Sequence, residues 1–415
     1  MRKISFMLEP CLPEEERFMS WHDEIEVITV ADAATAARLM QEVGADAGGI
    51  DLMLPKACFY CLKLKEVPAR AANILKQEIL ARGGEAAMAA GVAGWSVDKT
   101  DVLIFATRRQ LELLVAKLPV QGFGLDKLAA GIKTALTNWE RNDVREIGCP
   151  RGPLVLGKRT LVMGIVNVTP DSFSDGGQFY DPGAAVEHAH QLVAEGADII
   201  DVGGESTRPG HEPVSAAEEW RRLEPVLTRL TREIKVPISV DTYKASTARR
   251  ALEMGIDIIN DIWGFRADPE MARVCGQYQA AVVLMHNQEG TSYKDLMFDI
   301  LTFLRQSIQL AEDNGVPPEK IIVDPGIGFG KDLDQNLEVM GRLEEFKVLG
   351  KPVLLGTSRK SMIGRTLDLP VDQRLEGTAA TVALGIARGV DIVRVHDVRA
   401  MVRVARMTDA IVRRK

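Results

Sequence analysis

The chain is 415 residues long, which exceeds most single domains and predicts one large barrel with a smaller domain, or two to three domains. Its net charge of −7 argues against nonspecific nucleic-acid binding, because such binding favours basic surfaces. No apolar run reaches the ~20 residues of a membrane span, and the first residues lack a complete signal peptide. We therefore expect a cytoplasmic protein without a nucleic-acid or membrane partner.

The five cysteines are an odd number in a long chain, which indicates reduced thiols. Cys58 and Cys61 have the spacing of a redox motif or of half a zinc site. No second cysteine pair or nearby histidine completes a four-ligand zinc site, so we favour structural packing for both cysteines.

Residues 1–145 predict a small α/β or α+β domain. Short apolar runs predict strands at 26–30, 49–54 and 101–106. Stretches with helical periodicity predict helices at 33–44, 69–82, 108–118 and 123–139. The region has no phosphate loop, catalytic triad or metal-ligand cluster, so a regulatory, oligomerisation or partner role stays open. Residues 146–158 combine charges with proline and glycine and predict a linker.

After residue 158, short apolar runs alternate with amphipathic helical stretches. The eight runs lie at 161–166, 199–202, 237–240, 256–259, 281–285, 321–323, 353–355 and 392–395. Eight strands alternating with helices over about 250 residues predict a (β/α)8 TIM barrel, which we assign to residues 159–415. A doubly wound sheet has fewer strands and usually a glycine-rich fingerprint after its first strand, which this sequence lacks.

Each of the eight runs ends in polar residues. They include, in chain order, Asn167, Glu205, Asp241, Asn260, His286, Asp324, Thr357 and His396. One polar strand end is usually a helix N-cap. Eight such ends at the C-terminal face of a barrel, where the active sites of this fold lie, are better explained by a functional site.

Two groups of these polar residues predict different ligands. Asp241, Asn260 and Asp324 offer hydrogen-bond acceptors that suit a flat, nitrogen-rich ring such as a pterin or guanine, although helix caps and internal ion pairs are the alternative. The cationic residues suit a phosphorylated substrate, because the loops after strands 7 and 8 usually bind phosphate. These residues are Arg208, Lys360, Arg394 and His396. A surface salt bridge is the alternative for each, and it is weakest for Arg394, which lies within an apolar strand.

Two long, polar, glycine-flanked loops follow the first two strands, at 167–177 and 203–210. Mobile lids over barrel mouths have this composition. Asn167 and Asp175 supply oxygen atoms that suit Mg²⁺, which prefers few protein ligands together with phosphates and water. Asp171 has a helix N-cap as its alternative and is the weaker candidate.

Taken together, residues ~158–410 resemble dihydropteroate synthase. The resemblance rests on motifs that occur in family order, one at each of several strand ends. They are NVTPDSFSDGG at 167–177, GGESTRPG at 203–210, VDTYK at 240–244, ND at 260–261, DPGIGFGK at 324–331, TSRKS at 357–361 and RVHD at 394–397. Ile327 stands where many relatives carry Phe, and the first ~150 residues lie outside the family's core.

The resemblance implies condensation of 6-hydroxymethyl-7,8-dihydropterin pyrophosphate with 4-aminobenzoate, assisted by Mg²⁺ and inhibited by sulfonamides. By similarity, the pterin is held by Asp241, Asn260, Asp324 and Lys360. The pyrophosphate is held by Asn167 through Mg²⁺, and by Arg208, Arg394 and His396. The aminobenzoate pocket is formed by Phe173, Pro209, Phe329 and Ser361. The substrate-binding set also includes Thr207 and Met285, the catalytic set is Asp175, Asp241, Asp324 and Lys360, and Asp175 completes the metal site.

The family tendency is a homodimer through barrel helices. Two other functions compete with this prediction. A methyltetrahydrofolate–corrinoid methyltransferase shares the Asp/Asn/Asp core, but it has no purpose for the cationic set. A noncatalytic pterin-binding regulatory protein has only the unexplained N-terminal region in its favour.

Overall fold

The computed structural model describes residues 25–30, 32–168, 182–205 and 213–413. The chain separates into two compact units that divide between Lys133 and Thr134. Within the described ranges, no helix is long and apolar enough to cross a lipid bilayer.

The first unit combines helices with a small sheet. Its strands are β1 (Phe59–Pro68), β2 (Glu85–Met88) and β3 (Lys99–Thr107), and its helices are α1 (Ala33–Glu42), α2 (Ala47–Ala57), α3 (Ala69–Leu80) and α4 (Arg108–Lys117), while α5 (Leu125–Trp139) runs across the division. The sheet is antiparallel in the order β1-β3-β2. Buried side chains such as Leu75, Ile104 and Leu111 form the core.

Two predicted strands of this unit are wrong. Residues 49–54 lie within α2, whose N-cap Asp46 accepts a hydrogen bond from the Gly49 N–H at 2.9 Å. The apolar residues Ile50, Met53 and Leu54 recur at helical spacing, and such a short apolar run is easily mistaken for a strand. Residues 26–30 form no regular element, and Val27 is 99% exposed there.

The sequence prediction lacks β1, although its residues alternate as in a half-buried strand. Tyr60 and Leu62 are partly buried, whereas Cys61 and Lys63, which alternate with them, are exposed. Cys58 directly precedes this strand and is buried, while Cys61 lies on the exposed face. Because residues three apart in extended chain point to opposite faces, the two thiols do not form one ligand pair.

The second unit contains a hairpin and a barrel. Its strands are β4 (Arg145–Ile147), β5 (Leu154–Leu156), β6 (Leu161–Asn167), β7 (Ile199–Gly203), β8 (Ile238–Asp241), β9 (Ile258–Asp261), β10 (Ala281–Met285), β11 (Ile321–Asp324), β12 (Leu354–Leu355) and β13 (Ile392–Val395). Its helices are α6 (Pro182–Glu195), α7 (Ala216–Glu233), α8 (Ala245–Glu253), α9 (Met271–Gln277), α10 (Leu296–Asp313), α11 (Leu333–Gly341), α12 (Ser361–Leu367), α13 (Leu375–Ala387) and α14 (Val398–Val412).

The eight strands β6 to β13 are parallel and pair in the order β11-β10-β9-β8-β7-β6-β13-β12. A parallel bridge between Val323 and Val353 joins the two ends of this order, and the Val323 N–H donates to the Pro352 carbonyl at 2.9 Å. This bridge completes the ring and confirms the predicted (β/α)8 barrel.

Strands β4 and β5 form an antiparallel hairpin at the N-terminal end of the barrel, and part of it falls in residues 146–158, the predicted linker. Ile147, Leu154 and Leu156 pack against interior side chains at the first residues of the barrel strands. Between the two strands, Arg151 donates to the buried carboxylate of Asp257 at 2.6 Å. The hairpin therefore covers the apolar bottom of the barrel.

Candidate functional site

The parallel strands place their C-terminal ends at one end of the barrel, here called the mouth. Asn167, Gly203, Asp241 and Asn260 are successive partners in the register from β6 to β9. The other described candidates on or after the strand ends are Met285, Asp324, Phe329, Lys360, Ser361, Arg394 and His396. Five predicted site residues lie outside the described residues, namely Phe173, Asp175, Thr207, Arg208 and Pro209.

Arg394 joins two carboxylates inside the mouth. Its Nε donates to Asp201 Oδ2 at 2.6 Å, and its Nη2 donates to Asp241 Oδ2 at 2.8 Å. Asn260 Nδ2 also donates to Asp201 Oδ2, at 3.3 Å. Asp201 is fully buried, and the Arg394 side chain is 18% exposed. The two carboxylates compensate the buried charge of Arg394. When all three groups are ionised, they carry one net negative charge together.

Three buried polar atoms near this arginine have no hydrogen-bond partner within the described part of the chain. They are Asp201 Oδ1, Asp241 Oδ1 and Ser239 Oγ. Ser239 is the register partner of Asp201, so these atoms lie close together on β7 and β8. Buried polar atoms of native proteins normally have partners, so these atoms can receive ligand N–H groups or water.

Burial changes the proton affinities of the groups in the mouth. Burial raises the pKa of Asp241 to about 7, with Arg394 opposing the rise and Asp201 adding to it. Burial also raises the pKa of Asp324, against the opposing effect of Lys360. The pKa of Lys360 falls to about 8, mainly through burial. Burial therefore raises the pKa of both acids and lowers that of the lysine.

The loop after β11 connects Lys360 to Phe329. Lys360 Nζ donates to the Ile327 carbonyl and lies 4.4 Å from the centroid of the Phe329 ring. Asp324 fixes the start of the same loop by accepting a hydrogen bond from the Gly326 N–H at 2.7 Å. The ammonium group of Lys360, the Phe329 ring and the Asp324 carboxylate thus lie in one neighbourhood.

A second lysine, Lys331, holds this loop from inside the protein. Its Nζ contacts His286 Nδ1 at 3.0 Å and donates to the Gly326 and Phe329 carbonyls at 3.0 and 3.1 Å. Burial lowers the pKa of Lys331 to about 7, and burial with Lys331 beside it lowers that of His286 to about 2. His286 is therefore a neutral acceptor for Lys331 at neutral pH.

Elsewhere at the mouth, polar contacts fix the loops around the site. His396 Nδ1 lies 3.0 Å from Ser358 Oγ, which also accepts a hydrogen bond from the His396 N–H at 3.1 Å. At the end of β7, Glu205 accepts a hydrogen bond from Tyr243 Oη at 2.8 Å and one from Lys244. These contacts hold Glu205 against the turn that follows Asp241.

The sequence prediction gave Asp201 no role, and it named Glu205, Lys244 and Lys331 only within the polar strand ends, without the contacts described above. A signal for Asp201 is present, because a single carboxylate interrupts the apolar run 199–202. An ionisable residue inside an otherwise apolar strand needs a buried partner. Arg394 carries the same signal on β13. Lys331 and Lys244 carry no comparable signal, because lysine beside a turn is usually exposed.

The donor chemistry of the mouth fits Mg²⁺ in part. Asn167 ends β6 at half-exposed depth and offers a carboxamide oxygen. Among the described residues, no group of three or more Asp, Glu, His or Cys side chains is arranged so that it could hold a metal ion. Mg²⁺ commonly binds through one or two protein oxygens with phosphates and water, so a single described ligand is compatible with it.

Comparison with known proteins agrees with this site. The family model described as pterin binding enzyme matches residues 163–396. The dihydropteroate synthase of Clostridium beijerinckii is 56% identical over 260 residues, covering 62% of this chain and 97% of that protein. The crystal structure of dihydropteroate synthase from Clostridium difficile in the presence of pteroic acid has a TM-score of 0.61 and 58% identity, covering 62% of this chain and 99% of that one.

A further relative reaches beyond the barrel. The probable bifunctional folylpolyglutamate synthase/dihydropteroate synthase of Halobacterium salinarum is 42% identical over 351 residues, covering 83% of this chain and 42% of that protein. The barrel strands and helices, from Leu161 to Val412, cannot supply a match of that length, so the alignment includes part of the N-terminal region. By the family model and by these relatives, the chain belongs to the dihydropteroate synthase family of pterin-binding enzymes.

Proposed function

We propose that the mouth condenses 6-hydroxymethyl-7,8-dihydropterin pyrophosphate with 4-aminobenzoate, giving 7,8-dihydropteroate and pyrophosphate. The observation that carries this function is the buried set of Asp241, Asn260 and Asp324 beside the cations Arg394 and Lys360. Acceptors beside cations suit a substrate that combines N–H donors with an anionic leaving group. The membership of the dihydropteroate synthase family supports the same reaction.

The pterin ring binds between the strand ends of β8, β9 and β11. The Oδ1 atom of Asp241 is buried without a partner and accepts a ring N–H group. Asn260 and Asp324 supply further polar atoms, and Lys360 donates to a ring acceptor. Met285, whose register partner is Asp324, contributes an apolar contact to the flat ring.

The pyrophosphate binds toward β13 and β6. Arg394 and His396 supply donors from β13 and the residue after it, and Arg208 belongs to the same set by family likeness. Asn167 and, by family likeness, Asp175 would hold Mg²⁺, which prefers few protein ligands. When bound, this ion neutralises negative charge that grows on the leaving pyrophosphate.

The aminobenzoate binds above the pterin. By family likeness its pocket comprises Phe173, Pro209, Phe329 and Ser361, and Thr207 belongs to the substrate-binding set. The Phe329 ring lies against the ammonium group of Lys360. An aromatic ring there packs on the flat face of 4-aminobenzoate, while Ser361, exposed at the start of α12, reaches its carboxylate.

The reaction breaks the C–O bond between the pterin methylene and pyrophosphate and forms a C–N bond to the aminobenzoate amine. Pyrophosphate leaves with the bonding electrons, and the amine releases one proton to solvent. The methylene carbon becomes electron-poor as the bond breaks, and the carboxylates of Asp241 and Asp324 stabilise that charge in a site of low polarity. Exclusion of water protects the carbon from hydrolysis. The reaction needs no enzymatic nucleophile.

A direct assay tests this function. Purified protein is mixed with dihydropterin pyrophosphate, labelled 4-aminobenzoate and Mg²⁺, and we expect labelled dihydropteroate. A sulfonamide should compete with 4-aminobenzoate. Tight pterin binding without product would favour a noncatalytic pterin-binding protein. Methyl transfer from methyltetrahydrofolate to a corrinoid protein would favour the methyltransferase.

We also propose a homodimer through the outer faces of α13 and α14. Between Leu375 and Ala387, α13 has one charged residue, Glu376, and its Leu384 is 40% exposed. On α14, Met407 is 64% exposed. A helix that is apolar on all sides is normally covered. Light scattering should give the dimer mass for the wild type and the monomer mass for Leu384→Glu.

The division into domains is likewise a proposal: residues 1–145 form an N-terminal domain, 146–158 connect it, and 159–415 form the catalytic barrel. Its support is the separation of the chain into two compact units, which divide between Lys133 and Thr134 and so place residues 134–145 with the barrel. The packing of the β4–β5 hairpin on the barrel makes the connecting residues part of the functional fold.

A further inference from the structure

Asp201 is a buried carboxylate that the proposed chemistry does not use. It lies in the middle of β7, between Ile200 and Val202, and it is fully buried. Its Oδ2 accepts hydrogen bonds from Arg394 Nε at 2.6 Å and Asn260 Nδ2 at 3.3 Å. It therefore contacts two residues that the proposed function assigns to different parts of one substrate, namely pyrophosphate and pterin.

Stability alone does not account for this carboxylate. An apolar residue would satisfy the strand equally well, and buried ion pairs often stabilise a protein no more than apolar side chains of similar volume. The Asp201–Arg394 contact instead fixes one edge of the guanidinium group. A second edge is held by Asp241 at 2.8 Å. An arginine held at two edges by two strands has little freedom to rotate.

We propose that Asp201 is a positioning residue, which holds Arg394 in the orientation that receives the pyrophosphate group while it also orients Asn260 toward the pterin. The inference rests on the proposed function, because it requires that Arg394 bind the pyrophosphate. In this proposal Asp201 acts through these two side chains, and its Oδ1, which has no partner among the described residues, receives a buried water. Its effect should therefore fall on binding of the pyrophosphate-bearing substrate, and the part that concerns the pyrophosphate group should disappear when Arg394 is absent.

The first test compares Asp201→Asn with the wild type. Asparagine keeps the volume and one acceptor but loses the charge that holds Arg394. We expect the KM for dihydropterin pyrophosphate to rise ~10- to 100-fold. The KM for 4-aminobenzoate, measured at saturating pterin substrate, should change by less than ~2-fold. Calorimetry with inorganic pyrophosphate and Mg²⁺ should show the same loss of affinity without any turnover.

Asp198 provides a matched control on the same segment. It lies three residues earlier, at the opposite end of the barrel, and accepts two hydrogen bonds from Arg159 at 2.6 and 2.7 Å. Asp198→Asn should lower thermal stability and leave both KM values and pyrophosphate affinity unchanged. Equal kinetic effects of Asp198→Asn and Asp201→Asn would reduce Asp201 to a structural role and overturn the proposal.

A double-mutant cycle tests the route through Arg394. Arg394→Met alone should weaken pyrophosphate binding, and adding Asp201→Asn should weaken it no further. Additive losses would overturn the proposal. If Asp201→Asn does not fold, Asp201→Glu keeps the charge but displaces the carboxylate by one methylene, and it should give the same selective loss. If the wild type forms no dihydropteroate, the proposed function fails; wild-type turnover with unchanged Asp201→Asn binding removes only the positioning role.

Discussion

The charge of the mouth is set by a few buried residues. Asp201, Asp241 and Asp324 face two cations, Arg394 and Lys360, which leaves one uncompensated negative charge when all are ionised. Buried charge is costly, so this imbalance is informative. It favours a ligand with N–H donors, and it favours a reaction in which the ligand gains positive character. Dihydropteroate synthesis meets both conditions.

We expect a narrow, bell-shaped pH dependence of kcat/KM for dihydropterin pyrophosphate. Asp241 must be ionised to accept a ring N–H group, and its pKa is raised to about 7, so activity should fall as pH drops below that value. Lys360 must be charged, and its pKa is lowered to about 8, so activity should also fall above that value. The expected slope is about tenfold per pH unit on each side.

The charged groups that act on Asp241 make this profile a property of the whole cluster. They are Arg394 on β13, Asp201 on β7, Glu219 on α7 and Asp261 on β9. The apparent values therefore belong to coupled groups. Lys360→Arg should remove the alkaline limb, because arginine stays charged throughout. A flat profile from pH 6 to 9 in the wild type would contradict the assignment.

The metal dependence provides a second prediction for a single residue. Asn167→Ala removes a carboxamide oxygen at the end of β6, a proposed ligand of Mg²⁺. We expect the Mg²⁺ concentration for half-maximal activity to rise ~10-fold or more, while binding of a pterin without pyrophosphate stays unchanged. Asn314→Ala, on the far side at the end of α10, serves as the control. An unaltered Mg²⁺ requirement would remove Asn167 from the metal site.

At the scale of elements, the backbone of the loop after β11 is fixed by hydrogen bonds with several buried or partly buried side chains. Asp324 and Lys331 bind its backbone from below, and Lys360 binds the Ile327 carbonyl. Gly326 has φ +71°, and a Cβ there would lie 1.9 Å from the His286 carbonyl oxygen. Only glycine fits this approach without displacing backbone, because φ is positive and the neighbouring atom cannot move independently.

Gly326→Ala should therefore lower the free energy of unfolding by ~2 kcal/mol or more and raise the KM for 4-aminobenzoate through displacement of Phe329. Chemical denaturation and steady-state kinetics measure the two effects. Gly341→Ala is the matched control, because Gly341 ends α11 and a Cβ there meets no atom within 4 Å. The control should be neutral or stabilising by ~0.5–1 kcal/mol. Similar behaviour of both variants would show that the loop accommodates a side chain.

At the scale of the whole molecule, the β4–β5 hairpin makes residues before the first barrel strand necessary for the barrel. Ile147, Leu154 and Leu156 are buried against the interior of the barrel bottom. Loss of the hairpin would expose that interior and leave the carboxylate of Asp257 without Arg151. Each buried aliphatic side chain contributes about 2–3 kcal/mol.

Two shortened chains test this requirement. A chain of residues 134–415 retains the whole second compact unit. It should fold and keep kcat/KM within ~3-fold of the full protein. A chain of residues 159–415 lacks the hairpin and should be several kcal/mol less stable, or aggregate. Thermal unfolding and the condensation assay measure both. Equal stability of the two would contradict a structural role for the hairpin.

The barrel was largely predictable because its signals are local. Short apolar runs, helical periodicity and polar strand ends lie within a few residues of one another, and parallel topology brings such ends to one face. Asp241, Asn260, Asp324, Lys360 and Arg394 could therefore be selected as candidates from sequence. The N-terminal unit was less predictable. Residues 49–54 lie in a helix that Asp46 caps. In β1, lysines at partly buried and exposed positions make the alternation of apolar and polar residues hard to detect.

The sequence by itself determined the barrel, its mouth and the residue types that we propose for binding a pterin and a phosphate, since each depends on local pattern and strand direction. Only the tertiary structure decided how the buried charges are paired. Arg394 lies 193 and 153 positions from its partners Asp201 and Asp241, and closure of the barrel brings β13 across to β7 and β8. Ion pairing depends on distances that exist only after that closure, so the pairing of Asp201 with Arg394 could be identified only in the folded chain.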